Sequence, residues 1–166
     1  MAPVIIQTQP KTDTTVINLS DYGLSDGDDI TTLLTNLATQ QNGYLGWRFP
    51  SGMTLYCDPI DFGEVNDVYI VSHGTTSIKV KNSATDPGEL FRFAGNVNYY
   101  FGRGVTFDGN RANNLGATIN TAKALIWIQN DADNSINAGT VTVDSKFVNS
   151  VNRGLHVAGA TETASF

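Results

Sequence analysis

Cysteine is almost missing from this chain. Cys57 stands alone among 166 residues, so no intramolecular disulfide can form and no cysteine-based zinc site can be assembled. Charge is scarce as well, at 16% against about 25% in an ordinary soluble chain. Ten basic residues face sixteen acidic ones, for a net charge of −6, and the Lys and Arg form no run. Phosphate recognition needs clustered cations, so nucleic acid is not an expected partner, and an anionic membrane surface is disfavoured for the same reason. No apolar run approaches the roughly 20 residues of a membrane span. The opening Met1-Ala2-Pro3-Val4-Ile5-Ile6 has neither the basic region nor the long apolar stretch of a signal peptide, so synthesis in a cytoplasm is expected.

What the chain has instead is 19 Thr, 16 Asn and 16 Gly, nearly a third of its length. That mixture weakens helices and favours strands, Asn corners and Gly-dependent turns, which excludes a helical bundle. The length suits one domain.

Residues 1–15 lack an apolar period and read as an extended N-terminal arm. One helical signal follows. Ile30, Leu33, Leu34, Leu37 and Ala38 fall at i, i+3, i+4, i+7 and i+8, with acidic residues before them and Gly43 behind, which predicts a helix over 28–41. Beyond it the chain reads as short strands, including 44–49 and 53–57. Two series interleave. Val68–Val71, Val105–Asp108 and Val141–Asp144 start 37 and 36 residues apart; Leu90–Phe93, Leu125–Ile128 and Leu155–Ala158 start 35 and 30 apart. Two-residue hairpin turns are absent between them, so a parallel β-solenoid is expected rather than hairpins. Alternation then places Val68, Val105 and Val141 in one inner stack and Ile70, Phe107 and Val143 in another, with Asp108 and Asp144 at equivalent outward positions. The predicted helix would cap the N-terminal end over 16–166. The last residues offer no counterpart, which predicts that the 166 residues are the start of something longer.

Several segments resemble the pectate-lyase-like right-handed parallel β-helix family. These are Asp26-Gly27-Asp28-Asp29 before the helix, the link Gly43 to Phe49 with Pro50-Ser51-Gly52, the stretch Gly104-Val105-Thr106-Phe107-Asp108-Gly109-Asn110, and Phe147-Val148-Asn149-Ser150 followed by Gly154-Leu155-His156-Val157. The resemblance spans about residues 16–158. It implies an all-β, right-handed parallel β-helix with an N-terminal capping helix. The family includes pectin-degrading enzymes, other polysaccharide lyases and hydrolases, and bacteriophage tailspikes. With no signal peptide in view, the resemblance implies a tailspike segment in the virion tail. Its implied partners are two further copies in a homotrimer, other tail proteins docked through the arm, and a bacterial surface glycan that it binds or depolymerises. A polysaccharide lyase or glycoside hydrolase, and a purely structural virion component, stay open. No cofactor is implied.

Asp108 and Asp144 are the candidate catalytic pair, because two carboxylates at about 5–5.5 Å suit a retaining glycosidase and wider pairs an inverting one. The competing reading is that each bonds the backbone of its own turn. Asp58, Asp61, Asp131 and Asp133 follow no cation-loop spacing and read as solvated loop carboxylates, and no metal site is expected. His156, beside Arg153, could touch an anionic sugar; it and His73 otherwise read as surface or turn residues. Of the aromatic residues, Trp127 shares a side with Leu125 and is expected in the core. Tyr99 and Tyr100 must face opposite sides, so one of them is expected in solvent.

Overall fold

Alternating apolar residues with Gly or Asn at the corners give thirteen short strands and one α-helix among the described residues. The computed structural model describes residues 15–82, 89–95, 97–114, 124–129, 139–151 and 153–157. The elements run β1 (Ile17–Asn18), α1 (Thr31–Gln41), β2 (Tyr44–Phe49), β3 (Met53–Cys57), β4 (Ile60–Glu64), β5 (Asp67–Ser72), β6 (Thr76–Val80), β7 (Phe91–Ala94), β8 (Tyr99–Phe101), β9 (Val105–Asp108), β10 (Ala124–Ile128), β11 (Val141–Val143), β12 (Lys146–Val148) and β13 (Arg153–Val157). The predicted arm lies outside the described residues except Thr15, as do Asp131, Asp133 and the last nine residues.

Every strand pairing is parallel. The first sheet runs β1-β2-β5-β8-β11, the second β3-β6-β9-β12 and the third β4-β7-β10-β13. From β2 onward the chain visits first, second and third sheet in turn and returns to the first, completing four circuits. Parallel partners cannot be joined by a tight hairpin, so each strand finds its mate one circuit later. This is an all-β parallel fold.

Inward side chains stack circuit upon circuit. In the first sheet Leu45, Val68, Tyr99 and Val141 align, as do Trp47, Ile70, Phe101 and Val143. In the second, Leu55, Ile78, Phe107 and Phe147 align, and in the third Ile60, Phe91, Ile126 and Leu155. Most are fully buried, and Phe91, Phe93, Phe101 and Phe107 meet edge to face or tilted at 5.9–6.2 Å, so aromatic contacts join all three sheets.

Three expectations are corrected here. Val105 and Phe107 belong to the second sheet, where they pair with Thr76 and Ile78, so Val105 does not share a stack with Val68 and Val141, nor Phe107 with Ile70 and Val143. Trp127 is not in the core. Ile126 and Ile128 take the inward positions against Phe91 and Phe93, which turns Trp127 outward and leaves it half-buried. Leu125, by contrast, is fully buried in the core, so the two do not share an environment.

The helix is shorter than the sequence predicts. It starts at Thr31 after the N-cap Ile30, and Asp29 Oδ1, one residue further out, accepts from the Thr31 backbone N–H at 3.0 Å. Asn42 and Gly43, at φ 49° and 84°, end it. Ile30, Leu34 and Leu37 are buried beneath the first circuit, as the periodicity expects. A clamp holds this cap down. Lys81, just past β6, donates to Asp29 at 2.8 Å and to Asp58 at 2.7 Å, and Thr31 Oγ1 approaches the Cys57 thiol. Burial opposes ionisation of Asp29, but hydrogen bonds from Lys81 and Thr31 outweigh it and hold its pKa below the ordinary 3.8. Bonds to Asp29 and Asp58 push the Lys81 amine above its ordinary 10.5. Burial pushes the Cys57 thiol up to about 12.

Since Cys57 is the only thiol, its labelling reports the cap. Lys81→Met is expected to speed native-state labelling roughly two- to fivefold, in keeping with an exposed ion pair. Asp29 contributes fully above pH 3.8, and its share is lost as acid carries the pH through the lower folded value. Lys81 contributes fully below pH 10.5, and its share is lost as the pH climbs through the higher one. Labelling corrected for thiolate fraction should be slowest between those limits. Unchanged labelling in Lys81→Met would mean that apolar packing alone seats the helix.

Candidate functional site

Outward residues of a parallel stack repeat about every 4.8 Å, so a chemical group placed on one strand meets its register partners on the next. Two outward ladders carry chemistry. On the first sheet Tyr69 pairs in register with Tyr100, and Tyr100 with Thr142. The two rings stack at 5.0 Å with planes 12° apart. Gly102 makes room for this: a Cβ there would come 2.5 Å from Tyr100 Cε1 and 2.6 Å from Val71 Cγ1. Arg103 Nε donates to Asp144 Oδ2 at 3.3 Å beside the rings, with the Arg103 side chain largely in solvent and that of Asp144 about half exposed. Burial first, then Tyr69 and Asp144, push the Tyr100 phenol up, so it remains a donor at neutral pH. As alternation expects, Tyr99 is buried and Tyr100 half-exposed.

On the third sheet Asp61, Arg92, Trp127 and His156 stand in register on β4, β7, β10 and β13. Arg92 Nη1 bonds Asp61 Oδ2 at 3.1 Å, and its guanidinium lies 5.9 Å from the Trp127 ring centroid. The Trp127 and His156 rings meet edge to face at 5.6 Å. Arg153 Nη1 lies 3.1 Å from His156 Nδ1. Burial, and then the Arg153 charge, hold the His156 ring below its ordinary 6.5.

The candidate pair Asp108 and Asp144 is not brought together. Asp108 sits on the second sheet in register with Lys79 and Val148, whereas Asp144 follows β11 of the first sheet. The equal spacing that aligned them in the sequence joins two different sheets. Asp108 is 9% exposed and accepts from the Asn110 backbone N–H at 2.8 Å and from Asn149 Nδ2 at 3.0 Å, with Lys79 3.9 Å away. Its carboxylate is occupied in the turn, as the competing reading held. Asp58 serves the Lys81 clamp, and Asp61 pairs with Arg92 while accepting from the Gly63 N–H. His73 is exposed at the corner after β5, where its N–H bonds the Phe49 carbonyl. Trp47 is fully buried, its indole N–H on Gln41 Oε1 at 2.8 Å. Among the described residues no group of three or more His, Cys, Asp or Glu side chains could hold a metal, and no helix is long and apolar enough to cross a membrane.

Sequence reasoning missed Tyr69, Arg92 and Arg103 as neighbours of the aromatic residues it singled out. The signal was there in part: Tyr69 is the second residue of a predicted strand, as Tyr100 is of β8. No family model matches the chain, and the comparisons with curated proteins and with solved structures find no match either.

Proposed function

We propose that the chain is a right-handed parallel β-helix, capped by α1, that forms the start of a bacteriophage tailspike and supports recognition of a bacterial surface polysaccharide. The observation that carries the glycan part is the Tyr69–Tyr100 stack bordered by the Arg103–Asp144 pair on the outer first sheet. Aromatic rings cover the apolar C–H surface of sugars, and an adjoining ion pair offers donors and acceptors to hydroxyls. The fourfold return through three parallel sheets supports the β-helix, and the low charge suits a fold held by stacked ladders. In this reading residues 1–15 dock on other tail proteins and three copies assemble into a homotrimer. Depolymerisation, if the tailspike performs it, uses carboxylates other than an Asp108–Asp144 pair.

The test is equilibrium binding of purified lipopolysaccharide and capsular polysaccharides to the full chain, alongside its solution mass. Tyr100→Ala and Asp144→Asn are expected to weaken binding about tenfold each, the scale of one lost aromatic or charged contact, with circular dichroism unchanged. Binding that survives both substitutions would overturn the first-sheet assignment. A monomeric mass for the intact native protein would remove the trimer, and the purely structural alternative would gain if no glycan binds.

A further inference from the structure

On the outward strip of the third sheet, Arg153 is held differently from four other cations. Lys79, Lys81, Arg92 and Arg103 all meet an aspartate. Arg153 instead bonds a histidine ring nitrogen. A guanidinium can only donate, so His156 Nδ1 is the acceptor, and the proton of the neutral ring sits on Nε2. The strip therefore offers two donors, the Arg153 guanidinium and the His156 Nε2–H, and, one strand away, the half-buried ring of Trp127. The one carboxylate on the strip, Asp61, stands three strands off and is bonded to Arg92. With Asp61 and Arg92 cancelling and His156 neutral, the strip carries about one positive charge in a chain of net −6.

We propose that the Arg153–His156–Trp127 end of this strip binds a carboxylate-bearing saccharide. It rests on the reading that the chain meets a glycan, but on a face separate from the tyrosine stack. The sugar carboxylate takes the Arg153 donors left over by His156. A ring oxygen or hydroxyl accepts from His156 Nε2, and the exposed edge of Trp127 borders the sugar ring. Selectivity for acidic over neutral sugars follows, since a neutral sugar leaves the guanidinium without its anion.

Calorimetric titration of the full chain uses a glucuronate-containing hyaluronan tetrasaccharide and, as the neutral probe, cellotetraose. In parallel the His156 ring protons are followed by NMR, with His73→Gln to assign them. The tetrasaccharide is expected to saturate, to shift the His156 resonances and to raise that ring's titration midpoint, because a bound anion offsets the Arg153 charge. Arg153→Gln should cost tenfold or more in affinity, as a charge-assisted bond is lost. By itself it should raise the unliganded midpoint, by removing the neighbouring cation. Tyr100→Ala should leave this binding unchanged. Equal affinity for cellotetraose, an unmoved His156, or unchanged affinity in Arg153→Gln would each overturn the proposal. If the acidic probe responds to Tyr100→Ala and not to Arg153→Gln, the strip is excluded while the first-sheet reading stands.

Discussion

Gly104→Ala is expected to leave the chain unfolded or nearly so at 25 °C. Gly104 occupies the bend between first and second sheets at φ +87°, where a side chain costs roughly 1–2 kcal/mol in backbone strain alone. The steric cost is larger. A Cβ at Gly104 would be driven into the Gly74 carbonyl oxygen of the preceding circuit. That carbonyl is backbone and cannot swing aside as a side chain could. The neighbouring ladder makes the spacing stiff, since Thr76 donates its N–H to the Gly104 carbonyl at 2.8 Å and β6 pairs with β9 over four residues. Separating the circuits enough to admit a methyl group would break those bonds. A loss above about 4 kcal/mol is a large part of the 5–15 kcal/mol that holds a domain together. Gly27→Ala is the control. Gly27 has φ +91°, yet nothing lies within 4 Å of its Cβ position, so it bears the strain without the collision. Urea titration should show Gly27→Ala losing about 1–2 kcal/mol with a cooperative transition retained. Equal losses at the two sites would mean that the circuits are not held at fixed spacing.

The second large effect is expected at Asn110, in the bend between second and third sheets. Its amide is 2% exposed, and its backbone is left-handed at φ 50°. Nδ2 donates to the Val80 carbonyl at 2.8 Å and to Asn82 Oδ1 at 2.7 Å, while Oδ1 accepts from Asn113 Nδ2 at 2.8 Å. The amide thus binds its own turn to the preceding circuit. Asn110→Ala removes three bonds, strands a buried carbonyl and keeps the strained φ, for a loss of about 3–5 kcal/mol. Asn110→Gly relieves the φ and should recover about 1 kcal/mol of it. Asn110→Asp is the decisive variant, because it preserves shape while turning a donor into an acceptor against two acceptors. It should be less stable than Asn110→Ala in denaturant unfolding at pH 7. If aspartate is instead tolerated, the inter-circuit bonds contribute little.

Parts of this arrangement were legible in the sequence. The period-3.6 stripe of Ile30, Leu34 and Leu37 located the cap, and Gly43 marked its end. Strand parity was correct for Val68, Ile70 and Phe107, because inward positions of a parallel strand must be apolar. Strand identity was harder. Register partners in the first sheet, Leu45, Val68, Tyr99 and Val141, are separated by 23, 31 and 42 residues, so the true repeat has no fixed period. The near-equal spacing of Val68, Val105 and Val141 was a coincidence that crossed sheets, and it created the Asp108–Asp144 pair. Strands such as Thr76–Val80 and Lys146–Val148 carry lysine on their outer side, and the first also serine, with too few residues to announce themselves. Arg103 and Asp144 meet only because β8 and β11 pair, which no local pattern encodes.

Between third and first sheet, 2 residues of sequence separate β4 from β5, 4 separate β7 from β8 and 12 separate β10 from β11. The first-sheet strands that follow pair in parallel regardless. Loop closure grows only with the logarithm of length, so lengthening such a connection from 2 to 12 residues costs about 1.6 kcal/mol, from (3/2)RT ln 6. The frame is therefore indifferent to what is written at this one edge. New sequence could be introduced there by descent or by an engineer while the aromatic interior stays unchanged, which makes the edge a place for novelty on an otherwise constrained molecule.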